Sequence, residues 1–160
     1  MDYVQGSIGR VFAARLRDGE EPYAAIEELA SLERISSGVV VLLGGARSAR
    51  IVTGPKDPSG PVDPVLREFE DAREMVGVGT IHPSQEGPKL HLHAAFGRGD
   101  QSLVGCPRYG LTTYLVLEAF IIEVNGLNAS RELDPESGLK LLKFLAPRVI
   151  GPCHDRRGAS

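Results

Sequence analysis

The sequence predicts an α+β fold, a curved and mostly antiparallel sheet of short strands with one main helix packed on it. Three observations carry this expectation. About nine short segments are rich in β-branched and apolar residues and end at turn signals. One early segment instead repeats its apolar residues at helical spacing. No internal repeat or long linker divides the 160 residues, a length that suits one core.

The elements follow in order. Arg10 to Leu16 reads as the first strand and stops at the turn Arg17-Asp18-Gly19. Glu20-Glu21-Pro22 opens the helix, with acids at the positive end of the dipole and proline in the first turn. Tyr23, Ile26, Leu29 and Ala30 form its apolar stripe, and Ser36-Ser37-Gly38 closes the unit. Val39 to Leu43 is an unbroken β-favouring run, as expected of a strand buried on both faces. Gly44-Gly45 is expected to bend the chain into a return strand over Ala49 to Thr53.

Gly54 to Pro64 holds four prolines and two glycines and reads as a loop. Two strands follow, Val65 to Ala72 and Glu74 to Ile81; Gly77 and Gly79 in the second permit curvature or close backbone approach. His82 to Pro88 is a turn-rich connector, and Lys89 to Phe96 a strand that stops at Gly97-Arg98-Gly99-Asp100. Leu103 to Gly105 is short; Leu111 to Val124 is long and favours β structure. Leu127 to Leu133 and Leu139 to Leu145 flank the turn Asp134 to Gly138. Residues 1–146 are thus expected to form one domain, and 147–160 a disordered tail.

Composition narrows the function classes. Charge is −3, from 18 basic and 21 acidic residues, whereas a duplex-DNA binder usually runs positive. The two cysteines, Cys106 and Cys153, do not make a disulfide framework. The N-terminus lacks a basic region and an apolar run, and no stretch approaches about 18 consecutive apolar residues. The expectation is a cytoplasmic protein with no membrane partner. Gly44 to Arg47 precedes no helix, which removes a phosphate-cradling loop, and no serine stands in a nucleophile-elbow pattern.

His91-Leu92-His93 is the most informative triplet. Alternate strand residues share a face, so both imidazoles point one way while Leu90, Leu92 and Ala94 point the other. Two residues along a strand is about 6.5–7 Å, close enough for the rings to converge on one metal ion. Neutral imidazole suits zinc or another divalent transition metal. The plainer alternative is two hydrogen-bonded histidines on a solvated face. A third ligand would come from elsewhere: Cys106, as a thiolate after a short strand, or His82, swinging in from the connector. Their plain readings are a small buried hydrophobe and a turn residue. Glu118 and Glu123 offer carboxylates, with solvation at a sheet edge the simpler account.

Pro88 to Gly97, with His91-Leu92-His93 inside it, resembles the histidine strand of the plants-and-prokaryotes-conserved (PPC) domain family. Glu74 to Ile81 is similar to the family's preceding strand, and Arg131 to Leu139 to its closing strand and turn. With the unit from Arg10 to Leu43, the resemblance spans residues 8–145. It implies a PPC-like α+β fold, assembly as a homotrimer with sites near subunit boundaries, and metal ligation by His91 and His93. Plant members carry an AT-hook and act in DNA binding; stand-alone prokaryotic members have unsettled biochemistry. Where the family often places a further histidine after the glycines of the next strand, this chain has Cys106-Pro107 after Gly105, and it has no AT-hook. The first expectation is therefore a DNA-binding or regulatory protein with a candidate His-x-His metal site; the alternative is a metal-dependent protein that binds or converts a small molecule.

Overall fold

The computed structural model describes residues 1–59 and 62–149. Strands dominate: β1 (Asp2–Tyr3), β2 (Ser7–Arg17), β3 (Gly38–Pro55), β4 (Pro64–Phe69), β5 (Arg73–Ser84), β6 (Gly87–Arg98), β7 (Gln101–Asn125), β8 (Ala129–Leu133), β9 (Lys140–Phe144) and β10 (Arg148–Val149). One helix, α1 (Pro22–Leu32), lies between β2 and β3. All strand pairings are antiparallel. No helix among the described residues is long and apolar enough to cross a membrane.

The main sheet runs β2-β7-β6-β5-β3-β4, and β7 also pairs with β3. That extra pairing closes β3, β5, β6 and β7 into a ring of hydrogen-bonded strands. Closure depends on β7 changing partner. Its first residues pair with β6, from Arg98↔Gln101 to Ala94↔Gly105, and from Cys106 onward it follows β3, starting at Val52↔Cys106. Gly105 permits the crossing, because a Cβ there would collide with the Val52 carbonyl and sit 2.8 Å from Ile51 Cγ2.

Two strands are longer than the sequence suggests. β3 continues through Gly44-Gly45 and makes no return strand; Gly44, at φ 145°, absorbs a register shift against β7. Likewise Leu103 to Gly105 and Leu111 to Val124 belong to one 25-residue strand. A local reading takes glycine as a stop, whereas pairing on both sides carries the strand through it. The connector from His82 to Pro88 is also mostly strand: β5 and β6 form a hairpin across Gln85-Glu86, with Ser84↔Gly87 as its last pair.

Inside the ring, Val40, Leu42, Leu92, Phe96, Leu117 and Ile121 are fully buried, and Ile26 and Ala30 of α1 join them. Pro22 occupies the first turn of α1, as expected, and Tyr23 and Leu29 pack on the core as its partly buried flank. The run Val39 to Leu43 is not buried on both faces within the chain, since Val41 and Leu43 are exposed while Val40 and Leu42 are not. Within the expected tail, Arg148 and Val149 pair with Tyr3 and Asp2; residues 150–160, with Cys153, lie outside the described residues.

Candidate metal centre

The centre forms where β6 and β7 part. Beyond Ala94↔Gly105 the β6 edge has no β7 partner, and α1 comes alongside in its place: Glu27 accepts the Leu90 backbone N–H at 3.0 Å and pairs with Lys89 Nζ at 2.9 Å. On this stretch of β6, pleating puts His91 and His93 on the outer face and Leu90 and Leu92 in the core. Their ring centroids are 5.0 Å apart and nearly perpendicular, at 83°.

Cys106 is the first β7 residue past the crossing, which brings it back beside the histidines. One ligand atom from each of His91, His93 and Cys106 lies within 4.8 Å of the others. Three donors around tetrahedral zinc stand about 3.3–3.6 Å apart, given Zn–N near 2.0–2.1 Å and Zn–S near 2.3 Å. The donors therefore need to close by on the order of 1 Å, a displacement that side-chain torsions supply. Two imidazoles and a thiol form a mixed N/S set of the kind zinc accepts.

The surroundings favour a neutral, ligating imidazole at His91. Its pKa is lowered to about 4, first by burial, then by Arg131, His93 and Arg108. The Cys106 thiol is buried, and Tyr23 of α1 lies near enough to feel it electrostatically. Burial first, and Cys106 next, raise the Tyr23 pKa, so the phenol keeps its proton. Thr80, the cross-strand partner of His91, accepts a hydrogen bond from Arg131 Nη2 at 3.0 Å. Arg131 Nε is buried with no hydrogen-bond partner among the described residues.

His82 is not brought to this cluster. It lies in β5 opposite Lys89, is buried, and shares a 3.1 Å hydrogen bond between Nδ1 and Ser37 Oγ. The turn expected at His82 is thus replaced by a strand. Glu118 is exposed, as a solvated side chain should be. Glu123 is not, for it is buried and held by Arg10, whose Nε donates to Oε2 at 2.8 Å and whose Nη2 donates to Oε1 at 3.0 Å. Tyr23, Thr80, Arg108 and Arg131 were not legible as site residues. Each reaches the cluster through tertiary pairing, Arg131 because β8 packs on β5.

An antiparallel closed sheet, one helix and a His-His-Cys cluster on its outer face define a small β-rich domain with a candidate metal centre. Residues 3–125 match the model of the Plants and Prokaryotes Conserved (PCC) domain, and the chain belongs to that family. Solved structures agree on the fold. A metal-containing protein from Archaeoglobus fulgidus superimposes with TM-score 0.78 at 23% identity, over 91% of this chain and 99% of that one. The plant- and prokaryote-conserved protein of Pyrococcus horikoshii gives 0.77 at 20% identity, with the same coverage. A protein with a proposed DNA-binding role from Ralstonia eutropha JMP134 gives 0.69 at 23% identity, over 83% and 90% of the two chains. Among curated proteins no sequence relative is found.

Proposed function

We propose that this PCC-domain protein holds one divalent transition-metal ion, zinc by its donor set, between His91, His93 and Cys106, and offers the ion's fourth position to a small molecule. The observation that carries the reading is the convergence of three donor atoms within 4.8 Å at the parting of β6 and β7. Three protein ligands with one open position is the pattern of zinc sites that bind or activate a ligand, whereas structural sites are closed by four. A metal-containing relative of the same fold supports the reading. A reduced thiol ligand also fits the reducing cytoplasm, where we place the protein.

The test is elemental analysis of untagged protein beside a His91→Ala/His93→Ala variant. The expected result is about one metal ion per chain in the parent and none above background in the variant. Equal content in both retires the centre.

The same face supports assembly into a homotrimer. Pairing sets Ala13, Phe120, Val41, Val78 and His93 in one row across five strands. Val78 is 58% exposed, and Leu43 in the adjoining row 56%. A contiguous apolar strip of this kind on a sheet marks an interaction surface, and because it runs into His93, a copy docked there would border the metal centre.

A DNA-binding role is the second reading, favoured by the relative from Ralstonia eutropha. The −3 charge weighs against it. Fluorescence anisotropy with duplex DNA across salt concentrations decides: retention that falls steeply with salt supports the role, and no binding at low salt rejects it.

A further inference from the structure

The region beside the three donors is unusually rich in uncompensated positive charge. Among the described residues no carboxylate pairs with either Arg131 or Arg108. Arg131 spends Nη2 on a neutral hydroxyl, that of Thr80, and its buried Nε has no acceptor. Arg108 is exposed two residues past Cys106. The nearby acids are already engaged: Glu27 holds Lys89 and the Leu90 N–H, and Glu132 takes Ser130 Oγ at 2.7 Å and Lys143 at 3.5 Å.

We propose that the small molecule taken by the centre carries an oxyanion, a carboxylate or a phosphate, which Arg131 binds while another ligand atom approaches the metal position, with Arg108 adding positive field. Three physical reasons support this. A guanidinium is a fork matched to oxyanions and bonds them more strongly than it bonds neutral acceptors. A buried donor without a partner carries a desolvation cost of about 1–3 kcal/mol, which an oxyanion next to it would offset. Finally, a divalent ion with one thiolate keeps a net positive charge, and two unpaired arginines add to it, so an anion is the ligand that the local field selects. The inference rests on the proposed centre but uses residues outside the ligand set.

The test titrates inorganic phosphate and, separately, acetate into the metal-loaded parent, Arg131→Gln and Arg108→Gln, following heat and amide NMR shifts. The expected result is saturable binding of at least one anion to the parent, with shifts at Thr80, His91 and Arg131. Arg131→Gln should weaken it about tenfold or more, the loss of one charge-assisted contact, and Arg108→Gln by less. The two anion arms separate a phosphate site from a carboxylate site. Circular dichroism verifies the fold of Arg131→Gln, and the exposed Arg108→Gln keeps the test decisive if that variant unfolds. Metal content measured on the same samples separates the two failures. A chain without metal that still binds an anion through Arg131 retires the centre, and with it the bridging ligand, and keeps only the anion site at Arg131. A metal-loaded chain that binds neither anion, or binds equally in the parent and both variants, overturns the proposal.

Discussion

Gly105 lies against the backbone of Val52, at the point where β7 leaves β6 for β3, so closely that no side chain fits between them. The next residue is Cys106, so this crossing sets the position of the thiol. Gly105→Ala must push two paired backbones apart, and no flexible side chain is there to yield. The expected cost is about 1–3 kcal/mol, typical of overpacking, read as a lowered urea midpoint. Metal content should fall with it, because Cys106 is displaced from His91 and His93. Unchanged stability and metal content together would contradict this account of the crossing.

Tyr23 acts on the centre through Cys106. Its phenol stays protonated beside the sulfur, where it can donate a hydrogen bond to a metal-bound thiolate. Removing such a partner usually costs 10- to 100-fold in metal affinity. Tyr23→Phe is therefore expected to weaken zinc about tenfold in a competition titration with a chelator, while leaving the ligand set intact. Cobalt(II) substitution reports the difference: the thiolate charge-transfer band persists in Tyr23→Phe and disappears in Cys106→Ser.

How much of this was legible in the sequence depends on the range of the interaction. The His91-Leu92-His93 alternation, the helix opened by Pro22 and the hairpin at Gly99-Asp100 rest on neighbours within a few residues, and each stands in the structure. Cys106 could be named as a candidate from composition, but only the crossing at Gly105 explains why it meets the histidines. His82 and Arg131 illustrate the limit. One is drawn to Ser37 and the other to Thr80 by pairings 45 and 51 residues apart in sequence, which no local pattern encodes. The uniformly apolar run Val39 to Leu43 suggests burial on both faces, and the structure covers only one.

Glu123 and Arg10 give the chain an acid-sensitive tie between β7 and β2. The Arg10 side-chain hydrogen bonds, followed by its backbone N–H, lower the Glu123 pKa from 4.5 to about 2. A depressed carboxyl pKa means that the unfolded chain takes up the proton first as pH falls. The stabilisation is therefore fully present above the unfolded value and is lost between about pH 4.5 and pH 2. Glu123→Gln removes it at every pH. Its thermal midpoint should lie below the parent's at pH 7, and the gap should close as pH falls through that window. A gap that stays constant down to pH 2 would mean that Glu123 is not the titrating group.

Leu43 tests whether the apolar outer face is covered by further copies of the chain. It is 56% exposed and stands beside Val76 and Glu118 on the neighbouring strands, outside the core and away from the three donors. Within a single chain, Leu43→Asp buries no charge but faces Glu118 across the strand pair, so an isolated subunit should stay folded at a cost of about 1 kcal/mol. Placed in an apolar contact between subunits, the same carboxylate would lose its water without gaining a partner, which costs several kcal/mol. Sedimentation equilibrium is thus expected to give three times the 17.2 kDa chain mass for the parent and the single-chain mass for the variant, with far-ultraviolet circular dichroism unchanged. A parent that sediments as a single chain would leave the strip from Ala13 to His93 without the partner proposed for it. A variant that stays trimeric would place the interface elsewhere on the molecule.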